Sequence, residues 1–190
     1  ATLYLLSSTV SVPIFASLSD RFGRKPFFMS GVIIFVLASA FCGAAGNLAF
    51  LPFDGMGQLI AFRGLQGVGA GMITGVLFTI VGDIFSPQER GKYQGLFASV
   101  FGLASIFGPT FGGWLTDHWS WRACFYVNLP VGIIALLALH FEFPNMKPRP
   151  SDKRIDWAGF ALLIAAVVPL LLALTWVPQH GWGSLRVWPL

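Results

Sequence analysis

Six stretches of the chain contain no Asp, Glu, Lys or Arg: residues 1–19, 26–53, 64–82, 93–116, 123–141 and 157–185. Apolar side chains run through them without the two-residue alternation of a barrel strand, so each predicts an α-helix. Each has about the ~20 residues that carry a helix across a hydrocarbon core of about 30 Å. The expected fold is an all-α membrane protein, a polytopic bundle with six transmembrane helices. Gly and Pro inside the spans are compatible with this, because neighbouring helices satisfy the backbone groups they free.

Composition points the same way. The 190 residues are 55% hydrophobic and 11% charged, whereas a soluble domain is about a quarter charged. So few charges cannot coat a water-facing surface, and so apolar a chain is not disordered. The net charge of +4 would suit nucleic acid only if the basic residues formed one face. They fall instead in short clusters between apolar runs, so the expected partner is a lipid bilayer and not nucleic acid. Cys42 and Cys124 lie in or beside apolar runs with no CxxC spacing, which predicts two buried thiols and no disulfide framework.

The loops set the orientation. Arg21, Arg24, Lys25, Arg90, Lys92, Lys147, Arg149, Lys153 and Arg154 share one side, and only Arg122 and Arg186 lie on the other. The positive-inside rule makes the first side cytoplasmic. Trp119, Trp121, Trp176, Trp182 and Trp188 gather at the external ends, as interfacial anchors do. The Pro-rich, charged linker at 144–156 predicts a break between bundles. The opening ATLYLLSSTV and closing RVWPL read as cuts within a longer polytopic chain.

One cation lies inside a span. Arg63 sits about two turns, or ~10 Å, below the outer surface, where a charge costs at least a few kcal/mol unless it faces a wet cavity or a partner. Gln66 and Thr74 share its side of the helix at 100° per residue. No carboxylate lies at comparable depth, so the holder of Arg63 is Gln66, backbone carbonyls, water, or an acid outside this segment. An arginine that snorkels to the interface is the alternative. On the same helix Gly67, Gly71 and Gly75 form a stripe against which another helix can pack closely. Gly95, Ser99, Ala104, Gly108 and Gly112 repeat the theme one span later, and Pro109 predicts a kink near its external end. On the inner side Asp20, Arg21, Arg24 and Lys25 form one tight loop turned by Gly23, and Asp83 and Arg90 flank the inner end of the Arg63 helix. Solvated orientation signals are one reading of these charges. The sharper one is a latch in which Asp20 and Asp83 share Arg24, made in one conformation and broken in another.

Three of these strings resemble signatures of the major facilitator superfamily. Ala16 to Lys25 is similar to its GxLADRxGRK inner loop, with Ala16 in place of the opening Gly. Arg63 to Ala70 resembles its fourth-helix RxxQGxGA. Gly95, Ala104, Gly108, Pro109, Gly112 and Gly113 resemble its fifth-helix antiporter string, with Ala104 in place of a Gly. Trp121, Arg122, Phe125, Asn128, Pro130 and Gly132 look like the WRxxFxxNxPxG of the fourteen-helix drug:proton antiporter branch, and Asp156 to Gly159 is similar to the head of its extra central helices.

By that register the chain holds the second to seventh helices. Residues 1–143 make most of the amino-terminal bundle without its first helix, 144–156 a cytoplasmic linker, and 157–190 an extra central helix with the start of an external loop.

The resemblance implies a multi-pass transporter of the plasma or inner membrane. It would export lipophilic small molecules by alternating access, with the proton gradient as energy source and no cofactor. Arg63, with Gln66 and Thr74, would serve proton coupling and the cavity, opposite an acid on the absent first helix. Gly95, Ala104, Gly108, Pro109, Gly112 and Gly113 would favour exchange, and Asp20, Arg21, Gly23, Arg24, Lys25, Asp83 and Arg90 would gate the inner face. An uptake symporter or a non-transporting receptor on the same scaffold is the alternative. Asp117-His118 has no nucleophile beside it and no metal-ligand spacing occurs, so neither enzyme nor metal chemistry is expected.

Overall fold

The computed structural model describes residues 2–48, 52, 54–143 and 156–180. They form helices α1 (Thr2–Phe22), α2 (Arg24–Ala44), α3 (Gly55–Ile84), α4 (Pro87–His118), α5 (Ala123–Tyr126), α6 (Asn128–Glu142) and α7 (Trp157–His180), with no β-strand among the described residues. Six helical spans are long and apolar enough to cross a membrane, with α5 and α6 together making one. The linker expected at 144–156 lies outside the described residues except for Asp156, as do residues 181–190.

Local chemistry sets the boundaries. Gly23 breaks α1 from α2 at φ +102°, a backbone angle that side-chain-bearing residues rarely adopt. The Asp54 carboxylate accepts from Gly57 N–H at 2.9 Å and starts α3, and Asp156 accepts from Gly159 N–H at 2.8 Å and starts α7. Pro87 occupies the first turn of α4, where its missing N–H costs nothing.

The stretch 123–141 forms one span, as the sequence predicts, with a local interruption inside it. Pro130 has no N–H to offer the Tyr126 carbonyl, and the helix is interrupted at Val127, which keeps helical angles of φ −57° and ψ −30°.

The long α3 is the pillar of the bundle, with α1 against one face and α2 against another. A Cβ on Gly67 would strike the Tyr4 carbonyl oxygen and one on Gly75 the Val12 carbonyl oxygen. A Cβ on Gly71 would come within 2.5 Å of the Ser8 carbonyl oxygen. The stripe thus brings the backbones of α1 and α3 into direct contact. On the opposite side Gly69 meets the Phe35 backbone of α2. α6 rests on α2 where Gly132 leaves room for Val36, and α7 lies beside α1.

α4 differs from the others. It touches the rest mainly through α3 and α5, and Leu115 is its one buried residue.

Candidate functional site

Arg63 lies two turns into α3, near its Gly55 end. Its Nη1 donates to Gln66 Oε1 at 3.2 Å, and Gln66 itself is buried. Two aromatic rings supply what no carboxylate does. The guanidinium carbon lies 4.6 Å from the Phe125 ring centroid on α5 and 5.6 Å from that of Tyr4 on α1, within cation–π range. A cavity of about 470 Å³ opens beside it, lined by Tyr4, Met56, Ile60, Arg63, Trp121 and Phe125 among others. A guanidinium has five N–H donors, and Gln66 is its hydrogen-bond acceptor among the described residues. Arg63 therefore borders a cavity as a partly desolvated cation with donors to spare, which suits it to a carboxylate or another anionic group.

Thr74 lies three turns further in and returns its hydroxyl to the Ala70 carbonyl at 2.9 Å. It does not reach the cavity at Arg63.

At the opposite end of α3, Arg24 joins three elements. Its Nε and Nη2 reach Asp83 Oδ2 of α3 at 2.9 and 2.8 Å, its Nη1 donates to Ser19 Oγ at 2.7 Å, and it pairs with Asp20 of α1. Arg24 is only 7% exposed, so its guanidinium is shielded from water, whereas Asp20 stays open to it. The shared arrangement of Asp20, Arg24 and Asp83 is the one the sequence suggested. Gly23 provides the turn.

The other inner residues do different things. Arg90 caps α3, donating from Nη2 to Gly82 O at 2.6 Å and from Nε to Phe85 O at 3.2 Å. Lys25 donates to the carbonyls of His140 and Phe143 at the end of α6. Arg21 has no hydrogen-bond or ion partner among the described residues.

The α4 string is in place but faces open space. A Cβ at Gly95, Gly108 or Gly113 would meet nothing within 4 Å, and Gly112 has only the Cys124 Sγ at 4.0 Å. Ala104 and Pro109 are exposed in a helix that runs unbroken through the proline. The expected close neighbour of this face is not among the described residues.

The 121–132 string acts as a clamp. Arg122 stacks on Trp121 at 4.5 Å and donates from Nη2 to Ala45 O at 3.0 Å. Ser39 Oγ donates to Phe125 O at 2.9 Å and receives the Asn128 amide at 3.0 Å. Sequence reasoning did not single out Tyr4 or Ser39. Their signal was weak, one aromatic and one hydroxyl in apolar spans, although Phe125 and Asn128 belong to the recognised string.

The model of the Major Facilitator Superfamily matches residues 1–188. The chain is 42% identical over 187 residues to multidrug transporter protein MdtP of Bacillus subtilis (strain 168), covering 98% of this chain and 33% of that protein. It is 38% identical over 185 residues to multidrug resistance protein 3 of the same organism, covering 97% and 34%. The chain thus spans about a third of the length of these curated relatives. Among solved structures it resembles a peptide transporter, POT, with a TM-score of 0.62 at 17% identity, covering 98% of this chain and 38% of that one. That likeness concerns the fold alone.

Proposed function

Because the chain belongs to the Major Facilitator Superfamily, we propose that it is part of a proton-coupled secondary transporter that exports lipophilic drugs or related small molecules by alternating access. The observation that carries this reading is Arg63, a cation at membrane depth beside an aromatic-lined cavity of about 470 Å³.

Arg63 offers a fixed positive charge to an acid across the cavity. Such a charge favours the ionised acid, so proton binding and substrate binding compete through one electrostatic field. The acid belongs to a helix that the sequence resemblance places before this segment. The aromatic and aliphatic lining suits a lipophilic substrate, which needs area more than directed hydrogen bonds.

Residues 1–143 belong to the amino-terminal bundle, and α7 is an additional central helix. The Asp20–Arg24–Asp83 cluster holds the inner ends of α1, α2 and α3 together and exchanges partners when the inner face opens. Gly95, Ala104, Gly108, Pro109, Gly112 and Gly113 form the surface on which a second element slides. The protein resides in the cell membrane, draws on the proton gradient and uses no cofactor. The names of the relatives, a multidrug transporter and a multidrug resistance protein, support the substrate class.

The test is substrate-dependent proton movement in proteoliposomes of the full-length protein. Protons moving opposite to the drug support export, co-movement points to a symporter, and no substrate-linked flux points to a receptor. Arg63→Ala abolishes the coupled flux without loss of expression if the reading holds.

A further inference from the structure

Phe125 reaches Arg63 by a route that nothing in the helix pattern requires. It sits in the four-residue α5, next to the interruption at Val127, where the helix ladder alone does not fix the backbone. Yet it is buried, 7% exposed, and three hydrogen bonds to Ser39 of α2 and to Ala45 just past its end hold the segment. Ser39 Oγ donates to the Phe125 carbonyl, Asn128 Nδ2 donates to that same hydroxyl, and Arg122 Nη2 donates to Ala45 O. Ser39 is fully buried. Trp121 meets the Phe125 ring edge-on, with centroids 6.0 Å apart and planes at 88°. Three hydrogen bonds and a ring therefore aim one aromatic face, and a guanidinium lies over it at 4.6 Å.

We infer that Phe125, held by the Ser39–Asn128 clamp, is a positioning residue for Arg63: its ring face covers the guanidinium and turns the free N–H groups toward the cavity. The inference rests on the exporter reading for its functional consequence, but not for its geometry. A guanidinium is planar and weakly hydrated, so it stacks on a ring while its in-plane donors remain available. A ring supplies that attraction without the counter-charge of a carboxylate, so the cation remains unneutralised and free to answer an acid that gains or loses a proton.

The experiment uses the full-length protein with Phe125→Leu, which keeps apolar bulk without the ring, and Phe125→Tyr, which restores the ring. Arg63 is probed with phenylglyoxal, which modifies accessible guanidinium groups, and the extent at Arg63 is read by peptide mass spectrometry. Phe125→Leu is expected to speed modification about fivefold, the scale of a partly desolvated cation–π contact, and Phe125→Tyr to return it near the parent rate. Equal rates in the parent and Phe125→Leu, or Tyr behaving as Leu does, overturn the inference. Should Phe125→Leu fail to fold, Ser39→Ala loosens the same ring from behind. It is expected to raise the rate in the same direction, and no rise overturns the inference.

Drug export supplies the second readout. Phe125→Leu lowers kcat about fivefold with little change in KM, and Phe125→Tyr restores it. A loss of kcat that Phe125→Tyr does not restore makes Phe125 a packing residue and overturns the inference. A parent protein that exports no drug overturns the exporter reading instead, and the modification rates still decide the role of Phe125.

Discussion

Lys25 Nζ donates to the main-chain oxygens of both His140 and Phe143, at 2.9 and 2.7 Å, across 118 positions of sequence in the longer case. These carbonyls end α6, where the helix leaves acceptors without partners and its dipole is negative. The lysine of the inner loop therefore caps a helix distant from it in sequence. Lys25→Met is expected to lower stability by about 1 kcal/mol, with Lys25→Arg retaining most of it. The melting temperature of the purified full-length protein checks this, and an unchanged value for Lys25→Met rules the cap out.

The inner cluster should behave asymmetrically. Arg24 is 7% exposed and lies between Asp20 and Asp83. Asp83→Ala strips a buried cation of one partner and is expected to cost about 3 kcal/mol, as broken buried pairs do. Asp20→Ala should cost under about 1 kcal/mol, because the Asp20 side chain is 46% exposed and solvent screens its share. Chemical denaturation of the two variants decides the order, and equal losses would show that burial is not the cause.

Glycines on α3 and α4 should separate cleanly. A Cβ at Gly71 would meet the Ser8 carbonyl oxygen at 2.5 Å, whereas one at Gly91 meets nothing within 4 Å. Gly71→Ala is expected to destabilise by about 2 kcal/mol through overpacking against backbone. Gly91→Ala should be neutral, or stabilising by up to about 1 kcal/mol from helix propensity. Expression and thermal melting of the pair test the contrast.

Asp156 makes a smaller prediction. Its carboxylate accepts from Gly159 N–H at 2.8 Å and starts α7. Asp156→Ala should cost about 1 kcal/mol and Asp156→Asn much less, because Asn also caps well. If Asn and Ala are equally damaging, the negative charge matters more than the cap, and the string at 156–159 serves another purpose.

Much of the fold was legible because lipid imposes a simple rule. Charge-free runs of sufficient length marked the six spans, and four-residue spacing of glycine marked the face of α3 that another helix packs against, without saying that the partner is α1. The Arg24 cluster was also readable, since one tight loop carries Asp20 and Arg24 and a neighbouring helix ends at Asp83. The break at Val127 was less so, although Pro130 was in plain view, because proline is tolerated in many unbroken membrane helices and α4 itself runs through Pro109. The aromatic support of Arg63 escaped for another reason. Tyr4 and Phe125 are 121 residues apart, and no periodicity along a single helix reports that two rings from different elements meet one guanidinium.

The glycine stripe limits how the inner ends can come apart. From Gly67 to Gly75, α1 and α3 abut main chain to main chain, with the Tyr4, Ser8 and Val12 carbonyl oxygens against the glycines. Beyond the stripe Val76, Ile80 and Val81 stay buried, and only Gly82 has room for a Cβ. Close packing along α3 therefore continues almost to Asp83, where the Arg24 guanidinium takes over from main-chain contact in tying the helices together.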